Sequence, residues 1–120
     1  MQKNRKYNLA RIPQTWRYKP TFPIHRVYWH FNKADADPWP SVPHGDSESM
    51  NPPLKLDVWT GKIYNKETHE YLYSADKKEL RLLQRDRKFK QFAKDAILWH
   101  ITTFPEHASQ IAIPDWLKIQ

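Results

Sequence analysis

Cysteine is absent from this 120-residue chain, which excludes disulfides, thiolate metal sites and a cysteine nucleophile. Glycine is nearly as scarce, with Gly45 and Gly61 the only two. Phosphate-cradling loops and dinucleotide fingerprints need several closely spaced glycines, so enzymes built on a nucleotide cofactor fall away and no cofactor is expected. The nucleophile elbow of serine hydrolases is missing too. No apolar run approaches the roughly 20 residues that span a bilayer. The stretch Met1 to Lys6 leads into no apolar segment of the kind a secretory signal carries. A cytoplasmic protein without a membrane partner is the expectation.

Acidic residues are lacking in a more telling way. Positions 1–33 hold eight basic groups (Lys3, Arg5, Lys6, Arg11, Arg17, Lys19, Arg26, Lys33) and no carboxylate. Positions 34–57 reverse the balance, with Asp35, Asp37, Asp46, Glu48 and Asp57 against Lys55 alone. Positions 76–95 return to eight basic groups against four acidic ones. The net charge is +7 and the pI near 9.7. Basic flanks around an acidic centre point to a polyanionic partner, RNA or DNA, held through phosphate neutralisation and counterion release. A simpler explanation is that the charge keeps a small protein soluble.

What the chain does have is rings: six Trp, six Tyr and five Phe, 14% of all residues. They supply the buried area that a mean hydropathy of −0.91 would otherwise deny it. One domain covering residues 1–120 is expected. Its parts are a basic extended arm (1–23), a sheet region (24–73) with a long Pro/Trp loop (32–53), a helical part (74–104) and a docked tail (105–120).

Ile24 to Phe31 reads as a strand bounded by Pro23 and Asn32-Lys33. Alternation places His25, Val27, Trp29 and Phe31 towards the core, and Arg26, Tyr28 and His30 on the accessible face. Residues 32–53 hold five of the ten prolines and show neither helical nor strand periodicity, the mark of a functional loop or a disordered one. Trp39 between Pro38 and Pro40 argues for order, and Pro43 leads into His44-Gly45, where glycine permits a sharp turn. Leu54 to Thr60 alternates again, Thr60-Gly61 turns, and Lys62 to Tyr64 returns as a hairpin. Glu70 to Tyr73 adds a further strand. Ser74 or Asp76 caps a first helix carrying Leu80 and Leu83, with Glu79 three residues after Asp76 in capping-box spacing. Phe89, Phe92, Ala93, Ala96, Ile97, His100, Ile101 and Phe104 follow helical spacing up to Pro105, either continuous with the first helix across Arg85 to Lys88 or as a second helix capped by Asp86. The fold class is α+β: a small antiparallel sheet of three to four strands, covered on one face by one or two C-terminal helices.

Three groups of residues could carry chemistry. If the strand at 24–31 lies near the strand at 54–60, His30 and His44 can act as an acid–base pair oriented by Asp57. Arg26 and Lys55 then serve as phosphate clamp, and Tyr28 and Trp39 as stacking surfaces for bases. That is the equipment of a metal-independent endoribonuclease, because imidazoles titrate near neutrality. A second group, His30, Asp35, Asp37, His44, Asp46 and Asp57, offers ligand types that zinc or magnesium accept, although no compact ligand motif is present and the site is read without a metal. On it a metal-dependent nuclease would rest. The third is the basic helical region, where Lys77, Lys78, Arg81, Arg85, Arg87, Lys88, Lys90 and Lys94 could grip a phosphate backbone or merely form a solvated helix face. From a different class, a protein-interaction module (an inhibitor or adaptor) would use Trp39, Trp59 and Tyr28 as its contact patch. His25 and His100 belong to the core on this reading, and His69 and His107 to turns.

Overall fold

A computed structural model describes residues 16–117; the arm before Trp16, with Lys3, Arg5, Lys6 and Arg11, lies outside the described residues. Six strands form one antiparallel sheet in simple sequence order. They are β1 (Arg17–Tyr18), β2 (Trp29–Asn32), β3 (His44–Ser47), β4 (Leu54–Asp57), β5 (Lys62–Asn65) and β6 (Tyr71–Ser74). Two helices follow, α1 (Lys77–Arg85) and α2 (Arg87–Thr103), and then a 3₁₀ helix over Pro105–Gln110. The architecture is α+β as expected, with six strands where three to four were foreseen.

Both additional strands come from stretches without a strand signal. β1 is two residues of the basic arm, paired through Tyr18 with Phe31. β3 lies inside the supposed structureless loop and separates the two strands that the sequence suggested might adjoin: it pairs with β2 on one side and β4 on the other. Its sequence, His-Gly-Asp-Ser, has no apolar alternation because its core-facing position is Gly45. The rings of Phe31 and Trp29 close over that glycine, and a Cβ there would meet them at 3.2 Å.

The strand foreseen at 24–31 is shorter. Ile24 and Val27 bridge each other around His25 and Arg26, both at positive φ (56° and 62°), so the chain makes a tight turn before β2 begins at Trp29. Positive φ at both central residues is the pattern of a type I′ turn, here without the usual Asn or Gly. Gly61, at φ 83°, takes the left-handed position expected in the β4–β5 turn.

Residues opposite one another in neighbouring strands share a face. One face carries Tyr18, Phe31, Gly45, Leu56 and Ile63 in a row. α2 covers it with Phe89, Phe92, Ala93, Ala96 and Ile97, all buried with Trp29, Leu54 and Val58 in one core. The Phe31 and Phe89 rings meet edge to face at 5.3 Å. The tail closes the end of this layer: Leu117 is buried and the Trp116 indole leans on Trp59 at 5.7 Å.

The break between helices falls at Asp86. Its side chain accepts from the amides of Lys88 and Phe89 as the cap of α2, and from the Tyr18 hydroxyl at 2.6 Å. The Tyr18 bond, then the amides and Lys88, hold the Asp86 carboxyl below its usual range. Asp86→Ala removes a helix cap and the anchor of β1, for an expected loss of about 2 kcal/mol. A carboxyl depressed in the folded state stabilises above its unfolded value, and that stabilisation fades as pH falls through the folded value. Thermal denaturation of both proteins across acidic pH should therefore show their gap narrowing below the ordinary value of 3.8.

Candidate functional site

The other face of the sheet is polar. Its central row runs His30, Asp46, Lys55, Tyr64 across β2 to β5, with His44 beside Asp57 in the next row. Residues 33–43 fold back over this face instead of leaving it to solvent. Asp37 reaches Lys55 Nζ at 2.7 Å, and Trp39 stacks on His69 at 4.0 Å and tilts against Tyr64. His44, Asp46, Lys55 and Asp57 are consequently all buried. A polar interior layer of this kind must satisfy its groups with each other.

His44 sits deepest, its side chain 2% exposed. Its Nδ1 lies 3.1 Å from the Ser41 carbonyl, and because a carbonyl only accepts, Nδ1 carries the hydrogen. Ser41 is itself fixed: its hydroxyl donates to the Pro43 carbonyl and accepts from the Val58 amide. Nε2 points the other way, 3.0 Å from Asp35 Oδ2 and 3.9 Å from Asp46 Oδ2, yet makes no hydrogen bond. Burial alone would raise the Asp35 pKa, but contact with His44, the Asp37 amide and the charge of Lys55 outweigh it and hold it at about 2. Asp37 is lowered for the same reasons, burial opposing and Lys55 prevailing. Asp46 Oδ1 faces Lys66 Nζ at 3.2 Å.

Of the residues singled out in the sequence, His30, His44, Lys55 and Asp57 do share one sheet face. They are otherwise engaged. His30 pairs through Nδ1 with Glu48, whose carboxyl is lowered by it and by Lys19. Lys55 is spent on Asp37 and the Trp39 carbonyl, and stands over the Trp39 indole. It lies two strands from His30, about 9.6 Å by strand spacing. Asp57 accepts from the amides of Trp59 and Thr60, closing the β4–β5 turn, and the group that orients His44 is Ser41 instead. Trp39 is packed between His69 and the sheet.

Arg26 is not with them. It sits at the exposed tip of the Ile24–Val27 turn, where it shares a hollow with His25, Asp76 and Glu79 at the start of α1. Tyr28 is 53% exposed. Sequence reasoning missed Glu48, Ser41 and Lys66, whose roles depend on which strands adjoin and leave no local pattern. His100 is fully buried, as foreseen for a core histidine, but it also ties down the covering loop. Its Nδ1–H donates to the Asp35 carbonyl at 3.1 Å, and its Nε2 accepts from His107 Nδ1 at 2.9 Å. Burial and the neighbouring His107 lower its pKa.

Away from the sheet, the outer surface of α1 gathers cations. Lys77, Lys78, Arg81, Arg85, Arg87 and Lys88 are exposed. Among the described residues, no carboxylate stands within ion-pair distance of any of the six. Lys78, Arg81 and Arg85 border a shallow groove of about 380 Å³ with Leu82, which is 60% exposed. No helix among the described residues is long and apolar enough to cross a membrane.

Compared with protein-family models, curated proteins and solved structures, the chain finds a match in none of the three.

Proposed function

We propose that this protein binds nucleic acid through the outer surface of α1 and the first turn of α2. The observation that carries the reading is the set of six exposed cations, none within ion-pair distance of a carboxylate among the described residues. Four other lysines are paired: Lys19 with Glu48, Lys33 with Asp95, Lys55 with Asp37 and Lys66 with Asp46. Cations left unpaired on one surface are available to phosphates, and release of condensed counterions would drive the association. The spacing of 78, 81, 82 and 85 keeps three cations and one apolar side chain on a single helix stripe. Contacts of this type position a backbone and carry little sequence information.

The geometry favours binding over metal-independent cleavage. An acid–base pair needs both imidazoles within reach of one phosphodiester, whereas His44 is enclosed beneath residues 33–43 and Lys55 is neutralised by Asp37.

The test is fluorescence anisotropy with labelled single-stranded RNA and DNA between 50 and 200 mM salt, comparing the native chain with Lys78→Glu/Arg81→Glu/Arg85→Glu. Three lost phosphate contacts correspond, on a single strand, to a weakening on the order of 10²-fold at 0.1 M salt, and to a salt slope shallower by about two. Equal affinity in the two proteins would defeat the proposal. Incubating the same oligonucleotides with and without chelator reports cleavage separately.

A further inference from the structure

The polar face holds a second site, independent of the cationic helix. We propose that Asp35, His44 and Asp46 bind a divalent transition-metal ion of the zinc type.

One ligand atom from each residue lies within 4.8 Å of the others. Carboxylates clustered at a surface prove little, but the imidazole here is a separate observation. It is buried, its Nδ1–H is committed to the Ser41 carbonyl, and its Nε2 has no hydrogen-bond partner although aimed between two carboxylates. With Nδ1–H committed to Ser41, Nε2 is the ring atom left to face the two carboxylates, and positive charge is needed between them, from a proton on Nε2 or from a metal ion. A metal ion would engage all three ligand atoms at once. Hydrogen bonding of the distal ring nitrogen to a backbone carbonyl is also how metal-bound histidines are commonly held.

Distances agree with this. Ligand atoms about 2.1 Å from a tetrahedral ion stand about 3.4 Å apart, and the observed separations from Nε2 are 3.0 and 3.9 Å. The local charge agrees as well. Asp35, Asp37, Asp46 and Asp57 share this layer with Lys55 and Lys66, four carboxylates against two lysines. Lys66 engages Oδ1 of Asp46 and leaves Oδ2 on the His44 side.

Asp35 is steadied at both ends, its Oδ1 accepting from the Asp37 amide and its carbonyl from His100. It also borders a cleft of about 580 Å³ lined by Trp16, Arg17, Asn32, Ala34 and Ala36. Three protein ligands leave a coordination position for water. The imidazole selects zinc-type ions over magnesium or calcium, which prefer oxygen.

The experiment uses the full chain, stripped with chelator and then titrated with Zn²⁺ against a chromophoric competitor, with Mg²⁺ and Ca²⁺ in parallel. One equivalent of zinc per chain is expected, with Kd in the micromolar range or tighter, together with a rise in thermal midpoint. Asp35→Asn, which is nearly isosteric and only part-buried, should weaken zinc at least about 10-fold. Asp46→Asn should do the same, while His30→Gln should leave the affinity unchanged. Circular dichroism of the stripped variants establishes that each is folded, and a shift of the His44 ring nitrogens on adding zinc reads ligation directly. The proposal is overturned by substoichiometric binding, by an affinity indifferent to Asp35→Asn, by loss in His30→Gln, or by a site that takes magnesium and not zinc.

Discussion

Phe31→Ala should cost about 3–5 kcal/mol, most of the margin by which a domain of this size is stable. Phe31 has no solvent exposure and sits at the centre of the core face, between Tyr18 on β1 and Phe89 on α2. It also roofs the backbone at Gly45. Truncation therefore opens a cavity touching the sheet, the long helix and the strand that carries His44 and Asp46. Guanidinium denaturation followed by tryptophan fluorescence gives the value. A companion experiment separates packing at the glycine from simple loss of area. Gly45→Ala puts a methyl 3.2 Å from the Phe31 and Trp29 rings, closer than the rings accept without moving. The expected cost is about 1–2 kcal/mol. Combined with Phe31→Leu, the same methyl is relieved of the Phe31 ring and keeps only Trp29 as a close neighbour, so the two losses should sum to more than the loss of the double variant. Strict additivity would show that the aromatic cover over Gly45 contributes nothing of its own.

That pairing explains why part of the fold was legible in the sequence and part was not. The helices were, because Asp76, Asp86 and Pro105 mark their ends and the spacing from Phe89 to His100 needs no knowledge of the rest of the chain. The β4–β5 hairpin was, because Leu54, Leu56 and Val58 alternate up to a glycine turn. β3 was not. A strand announces itself by apolar residues at every second position, whereas the core contribution of β3 is a bare glycine beneath rings supplied by β2. Its other face looks into a polar layer, so His44 and Asp46 resemble loop residues. The turn at His25 and Arg26 was hidden for a different reason: positive φ is uncommon for any residue but glycine, Arg26 has no leaning towards it, and apolar neighbours on both sides mimic an unbroken strand.

The candidate site was legible only as a list of residue types. That His30, His44, Lys55 and Asp57 share a face follows from register, and register depended on the unseen strand. Enclosure of that face depends on a still longer connection, the return of Asp37 to Lys55 and of Trp39 to His69. This return converts a supposed open catalytic surface into a buried network. The clamp assigned to Lys55 fails for an electrostatic reason, since an ammonium 2.7 Å from a carboxylate presents little net charge to a phosphate. Unpaired cations instead remain on α1, where sequence already placed them, and that is where the nucleic-acid reading now rests.

His100→Ala should be comparably damaging, about 3–4 kcal/mol, and should loosen the covering loop in particular. The ring is wholly buried in α2 against Phe104, at 5.2 Å between centroids, and fills both hydrogen-bonding positions with part-buried partners. Truncation leaves a cavity, an Asp35 carbonyl without its donor and a His107 without its acceptor. His100→Phe keeps most of the volume and loses both hydrogen bonds, so it isolates the polar part, about 2 kcal/mol. Chemical denaturation supplies the totals, and amide exchange locates them. In His100→Phe the amides around Asp35 and Asp37 should exchange faster while those of β4 and β5 keep their protection, because the loop opens locally before the sheet does. Uniform acceleration through the whole molecule would instead make His100 an ordinary packing residue with no special hold on the loop. The same variant bears on the proposed zinc site from outside it. Asp35 would keep its carboxylate but lose the anchor on its backbone, so zinc should still bind, at one equivalent, with lower affinity than in the native chain.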